Sequence, residues 1–489
     1  MRVGRLVMPA LRWREDTGFR HEEPVIEEAS AAGVGGFLLF GGAVTELLDL
    51  TDRLRKLAGR PLLFGSDMER GAGQQVQGLA ELPPPAALAA LDDLAVVREA
   101  GRFTGYSARQ AGINWVFAPV ADLDLEAANP IVQTRSFGSD PARVATFVSE
   151  WIAGARDAGV LTCAKHFPGH GRTVHDSHDR MPTVDVSLEE LERTDLVPFR
   201  AAIEARVDSV MTSHVAYPAL DPSGTPSTRS PAILGYLRNR LGFEGLIVSD
   251  ALVMEGFAGG LGAAAASVAA VRAGGEILLY PAQLAETVSA LEAAVNEDEE
   301  LRGRVETALA RYARALESVT ARFDRPSGRH YVAAAPATPA VSADREASLF
   351  DRVVATTLVD SDPPEVALRL PIELVVVDDD LDGAFPASPS DWLEKALRDA
   401  GVPLGFGGSR IVAAFAEPRA SKGRAGFGER CRSQLEAAGP IDLIALFAHP
   451  RLQRELPAGV PVLQAWHRQR LMQEAVARWI VGRIAAGGA

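Results

Sequence analysis

Short apolar runs, most of them ending in a polar or ionisable residue, recur through the first part of the chain. They are Arg2–Met8, Gly35–Phe40, Pro61–Asp67, Trp115–Asp122, Val160–His166, Ser209–His214, Leu246–Asp250 and Ile277–Tyr280. Each has the length of a buried strand, and runs apolar on both faces are what a helix-covered parallel sheet needs. The stretches between them repeat apolar residues at helical spacing, as in Val44–Leu57, Leu88–Ala111 and Pro141–Ala158. Ser187-Leu-Glu-Glu190 sets a hydroxyl and a carboxylate three positions apart, the pattern of a helix start. Eight strand-then-helix units predict an α/β fold, a (β/α)8 TIM barrel, over residues 1–323. A doubly wound open sheet fits less well, because no glycine-rich turn follows Met8.

A helical tract at about Ala282–Phe323 closes this series. Residues 324–343 turn rich in proline and alanine and predict a linker. Residues 344–489 carry four further strand candidates, Ile372–Val377, Ile411–Phe415, Leu443–Phe447 and Val462–Ala465, alternating with helical patterns. They predict a smaller, sandwich-like α/β domain. No acid pair or glycine loop stands out in it, so it is read as accessory.

Composition narrows the function classes. A chain of 489 residues with 47% hydrophobic and 23% charged residues has an ordinary globular balance. A net charge of −14 without a long basic run argues against nucleic acid or an anionic membrane surface as partner. Cys163 and Cys431 lie too far apart in sequence to suggest a disulfide framework or a zinc ribbon. No basic leader followed by an apolar stretch opens the sequence, and no apolar run is long enough to span a bilayer, so a cytoplasmic location is expected.

The chemistry gathers at strand ends: Asp67, Asp122, Lys165-His166, His214 and Asp250. In a barrel these ends converge on one mouth, so residues far apart in sequence would line one pocket. The stretch Lys165–Pro182 holds four of the nine histidines, His166, His170, His175 and His178, with Asp176 and Asp179 among them. Histidines so clustered suggest proton transfer, metal ligation or charged-ligand binding. Pro168 and Gly169 keep His166 and His170 off one helical face, which weakens the metal reading. Gly169 and Gly171 give the loop torsional freedom, expected to let it close over a substrate.

Several ordered motifs carry a resemblance. They are K-H-F-P-G-H-G at Lys165–Gly171, D-S-H at Asp176–His178, N-P…R-S-F-G-x-D at Asn129–Asp140, M-T-x-H-V at Met211–Val215, L-G-F-x-G at Leu241–Gly245 and S-D-x-L-x-M at Ser249–Met254. On these, residues 1–320 resemble the glycoside hydrolase family 3 β-N-acetylhexosaminidases of the bacterial cell-wall-recycling type, in a two-domain form. The resemblance implies a retaining enzyme without metal or cofactor that removes terminal β-linked N-acetylglucosamine from a small carbohydrate. It implies Asp250 as nucleophile and His178, paired with Asp176, as general acid/base. Asp67, Arg135, Lys165 and His166 would hold sugar hydroxyls. His214, from the M-T-x-H-V segment, joins this substrate-binding set. β-Glucosidase relatives typically read S-D-W at the nucleophile and lack the D-S-H loop, whereas here Ala251 follows Asp250 and the loop is intact.

The residues suit that chemistry. Retaining hydrolysis needs a carboxylate below the sugar ring and a proton donor beside the leaving oxygen. Asp176 would favour the charged form of the His178 imidazole and orient its ring. The strand-three segment departs from the family's D-x-E-G-G-R-V: Asp67-Met-Glu69 matches, but Gln74-Gln75 follows where an arginine is expected, which bears on sugar specificity. A phosphorylase using the same intermediate, a β-glucosidase-type enzyme and a catalytically silent sugar-binding protein are the alternatives.

Overall fold

The computed structural model describes residues 2–176, 181–258, 260–323, 343–356, 366–380, 387–419 and 422–484. His178 and nearly all of the expected linker 324–343 lie outside the described residues. The chain divides into two compact units. One comprises Met1–Ala80, Leu94–Glu126 and Ser136–Ala337; the other comprises Glu81–Asp93, Ala127–Arg135 and Thr338–Ala489. Two segments from the first part of the sequence therefore belong to the second unit.

All eight apolar runs of the first unit form strands: β1 (Val7–Met8 and, past Pro9, Ala10–Arg12), β2 (Gly36–Phe40), β3 (Leu63–Ser66), β4 (Trp115–Val116), β5 (Leu161–Phe167), β6 (Ser209–Thr212), β7 (Leu246–Ser249) and β8 (Leu278–Leu279). Neighbours pair in parallel from β1 through β7. Val248 then bridges Ile277, and β8 pairs with Val7–Met8, so the sheet curls back onto its first strand. The first strand differs from the expected Arg2–Met8. Val3–Leu6 is a 3-10 turn, and the strand runs on past Pro9 to Arg12. Pro9 has no N–H to give, but its carbonyl accepts from the Leu38 N–H at 2.9 Å, so the ladder survives it. The helical stretch Leu88–Ala111 is likewise two helices, Pro85–Ala90 and Leu94–Gln110, with Asp92 in a left-handed conformation between them.

Side chains alternate across a strand, so register decides which set faces the barrel interior. Lys165 of β5 reaches Asp67, just past β3, and Trp115 of β4 donates to the Ser209 hydroxyl of β6 at 3.0 Å. Each contact skips a strand, which a short chord can do only inside the ring. The row Ala10–Leu38–Gly65–Trp115–Leu161 shares that inward face, as does the paired Arg12 and Phe40. Gly65 is required there: a Cβ would come within 2.5 Å of the Phe117 ring, which fills the interior at that level.

The second unit is built on a parallel sheet in sequence order, β9 (Glu373–Asp378), β10 (Arg410–Ala416), β11 (Leu443–Ala448) and β12 (Val462–Gln464). One face packs Ile411, Ala413 and Phe415 with Phe350, Leu393 and Met472; the other packs Val412 and Ala414 with Cys431 and Leu435. At the C-terminal edge of this sheet the charges are buried. Arg468 reaches Asp378 at 2.8 Å and Asp380 at 3.1 Å, and Lys422 bridges Asp379 and Asp380. Reading this half as devoid of an acid cluster missed Asp378-Asp379-Asp380, whose partners are distant in sequence.

Candidate active site

The C-terminal ends of β3 and β5 meet through a buried cation. Lys165 is 2% exposed at its side chain, and its Nζ lies 2.6 Å from Asp67 Oδ1 and 2.7 Å from Glu69 Oε1. Two carboxylates around one ammonium leave a net negative charge, and both charge-assisted bonds are short. Asp67 keeps about a third of its side chain exposed, whereas Glu69 is buried. Glu69 thus anchors Lys165, while Asp67 stays open to a ligand.

The next residue, His166, is held by Asp122. The His166 ring Nδ1 lies 2.7 Å from Asp122 Oδ2, and the Asp122 Oδ1 accepts the backbone N–H groups of His166 and His170. Burial would raise the Asp122 carboxyl, but the facing histidines, His166 foremost, outweigh it and hold the group below its usual range. Asp122 therefore fixes both the ring and the backbone of the loop that opens after β5. His170 is enclosed in that loop with Nδ1 2.8 Å from the Thr173 hydroxyl, and burial lowers its pKa to about 4. It is neutral at physiological pH.

The loop is tied down along its described length. Arg172 bonds Asp195 at 2.8 Å and Glu190 at 2.9 Å, joining the loop to the helix Leu188–Arg193, whose start Ser187 caps. Gly171 serves close packing here, not the torsional freedom expected from sequence. A Cβ would lie 1.6 Å from the Leu123 carbonyl oxygen, and the Gly171 carbonyl accepts from the Glu126 N–H. Asp176 is buried at the last described position before 177–180.

Asp250 follows β7 directly. Its N–H donates to the Thr212 carbonyl at 3.2 Å, and its Oδ1 accepts the Ala251 N–H at 2.8 Å. Val248 pairs with Met211, which pairs with Lys165, so Asp250, two residues on, continues the inward row. His214, expected to touch sugar, is instead fully buried. Its Nδ1 lies 2.9 Å from the Thr228 hydroxyl and its Nε2 3.1 Å from the Ala251 carbonyl oxygen. A carbonyl only accepts, so Nε2 carries the proton. The ring points into the protein because both its nitrogens are engaged behind the Asp250 loop.

Arg135, also expected at the sugar, belongs to the second unit. It ends the short turn Gln133–Arg135, and its guanidinium donates to the Ile131 carbonyl at 3.1 Å. Asn129 organises that segment by accepting the N–H groups of Ile131 and Val132. The structure thus gathers Asp67, Lys165, His166 and Asp250 at the strand ends of the first unit. Asp122 and Glu69 were visible in the sequence as a strand-end acid and a motif match, yet carried no role there. Their function depends on partners 44 and 96 positions away, reached only through folding.

Comparison with known proteins agrees with this architecture. Residues 1–315 match the glycosyl hydrolase family 3 N terminal domain. The chain is similar to a beta-N-acetylglucosaminidase/beta-glucosidase of Cellulomonas fimi, 35% identical over 274 residues, covering 54% of this chain and 49% of that protein. It is similar to a beta-hexosaminidase of Thiobacillus denitrificans, 38% identical over 242 residues, covering 47% of this chain and 66% of that one. The match thus spans about half the length of the first relative. Among solved structures, a family 3 beta-N-acetylglucosaminidase from Paenibacillus sp. str. FPU-7 aligns over 100% of this chain and 97% of its own, with TM-score 0.83 and 27% identity. Among the described residues, no helix is long and apolar enough to cross a membrane.

Proposed function

The chain belongs to glycosyl hydrolase family 3, and from that premise we propose that it is a retaining exo-glycosidase releasing terminal β-linked N-acetylglucosamine. What supports the reading most is Asp250 at the end of β7, in the inward row that includes Lys165. An Asp250 oxygen attacks the anomeric carbon while the glycosidic C–O bond breaks and the leaving oxygen takes a proton. His178 is the proposed donor, with Asp176 as its partner. Water, deprotonated by the same imidazole, then attacks the glycosyl–aspartate ester, releasing the sugar with retained configuration and restoring Asp250. Lys165, Asp67 and His166 bind the sugar hydroxyls in this scheme, with Arg135 as a further proposed contact. Proton transfer from a positioned group is worth roughly 10²–10⁴-fold, so His178→Ala should lose most on leaving groups that need a proton.

The decisive experiment is trapping with a 2-fluoro or 5-fluoro glycosyl donor, which should label a peptide containing Asp250. Label on Asp67 or Glu69 would overturn the assignment. A family 3 phosphorylase would use the same intermediate, so sugar 1-phosphate formation in phosphate buffer is the readout separating the two. We place the activity in cell-wall recycling on the resemblance alone. Faster turnover of a chitin-derived disaccharide than of a muropeptide-derived one would argue against that role.

A further inference from the structure

The barrel mouth holds a stacked cation that no motif indicates. Arg12 closes β1, and its guanidinium carbon lies 4.1 Å from the ring centroid of Phe40 and 5.2 Å from that of Tyr280. Its Nε donates to the Tyr280 hydroxyl at 3.3 Å. Phe40 ends β2 and Tyr280 directly follows β8, so the stack spans three consecutive strand ends. Tyr280 adopts φ +48°, a left-handed backbone uncommon for a bulky residue, and this aims its ring at Arg12. All three side chains are only partly buried.

Register locates this stack beside the candidate site. Arg12 pairs with Phe40, and Leu38 pairs with Gly65. Two positions further on, Phe40 and Asp67 continue the same inward row, so Arg12, Phe40 and Asp67 share one level of the mouth. On the other side, the Leu252 N–H donates to the Leu279 carbonyl at 2.9 Å, which ties the Tyr280 strand end to the loop after Asp250. The level between the nucleophile's strand and Asp67 is therefore filled by a guanidinium oriented by two rings.

We propose that Arg12 is a further sugar-contacting, specificity-determining residue, donating to a hydroxyl oxygen of the ring whose neighbouring hydroxyl Asp67 accepts. The chemistry is complementary: a carboxylate only accepts and a guanidinium only donates, while vicinal hydroxyls do both. Sandwiching between rings fixes the guanidinium plane before binding, so little side-chain freedom is lost on contact. The proposal rests on the glycosidase reading above, and its test separates the two.

Kinetics should be compared for the wild type, Arg12→Met and Tyr280→Phe on an aryl N-acetylglucosaminide and its 3-, 4- and 6-deoxy analogues. Arg12→Met keeps the apolar stem between the rings and removes the donors. A hydrogen bond from a charged group predicts a loss of about tenfold to hundredfold in kcat/KM on the parent sugar. The loss should shrink to about twofold or less on one deoxy analogue, the one lacking the partner hydroxyl. Tyr280→Phe, which removes only the oxygen holding Nε, should show the same dependence at smaller size, and decides the matter if Arg12→Met does not fold. Equal losses on every analogue, or none, would overturn the proposal. If the wild type turns over no aryl glycoside, the glycosidase reading fails. Calorimetric binding of N-acetylglucosamine and its deoxy forms to the same variants then carries the identical comparison.

Discussion

At the scale of single residues, the site is held by groups that need not touch substrate. His214 is one: with Thr228 on one nitrogen and the Ala251 carbonyl on the other, it braces the backbone just after Asp250. In the proposed scheme it positions Asp250 and does not bind sugar. His214→Leu should lower kcat about tenfold or more, while the Kd for product N-acetylglucosamine changes little. His214→Gln, whose amide can donate to the same carbonyl, should recover part of the loss. A weakened product Kd with unchanged kcat would return His214 to the sugar-binding set. His170 gives a pH prediction. Its folded pKa is lowered by burial from 6.5 to about 4, so its contribution to stability is complete above pH 6.5. Between these values the unfolded chain binds the extra proton, and the contribution, about 3 kcal/mol, is lost as pH falls towards 4. Urea midpoints at pH 7 and 4.5 should therefore drop less for His170→Asn than for the wild type. An equal drop would refute the assignment.

At the scale of elements, strand ends and their loops carry the proposed site while the sheets carry the buried core. The first strand is the instructive case. The apolar run read from sequence ends at Met8, whereas the strand continues past Pro9 to Arg12. A proline is tolerated where its carbonyl still accepts, a condition that neighbours decide and sequence order does not show. In the second unit the corresponding edge is locked by charge. Arg468 is 2% exposed and reaches Asp378 and Asp380 together. Removing it leaves the buried Asp378 carboxylate without its cation, while Asp380 keeps Lys422; breaking such a buried pair typically costs about 3–5 kcal/mol. Arg468→Met should show this as a lower denaturant midpoint of the transition that reports the second unit. Unchanged stability would mean that water or Lys422 takes over the carboxylates.

At the scale of the whole molecule, the division of the chain changes what a truncation means. Segments 81–93 and 127–135 belong to the second unit, and Ala86 and Ala87 are buried in a core with Phe350 and Val353. A chain ending at residue 337 leaves 81–93 without that core and 127–135 without the rest of its unit, although every proposed catalytic residue remains. Such a truncation should show fast hydrogen exchange or proteolysis at 127–135, where Arg135 lies, and reduced activity on aryl glycosides. Full activity with protected 127–135 would show that the first unit orders these segments alone. The apolar rhythm by itself determined the eight strands of the first unit, the returning helices and four further strands of a second α/β unit, because burial on both faces of a strand leaves a local signature. Only the tertiary structure decided which acids hold which bases: Glu69 on Lys165, Asp122 on His166, Arg468 on Asp378 and Asp380. Those pairings join strand ends and loops distant along the chain, and a closed barrel or sheet edge brings them within a few ångströms through register, which no local pattern encodes.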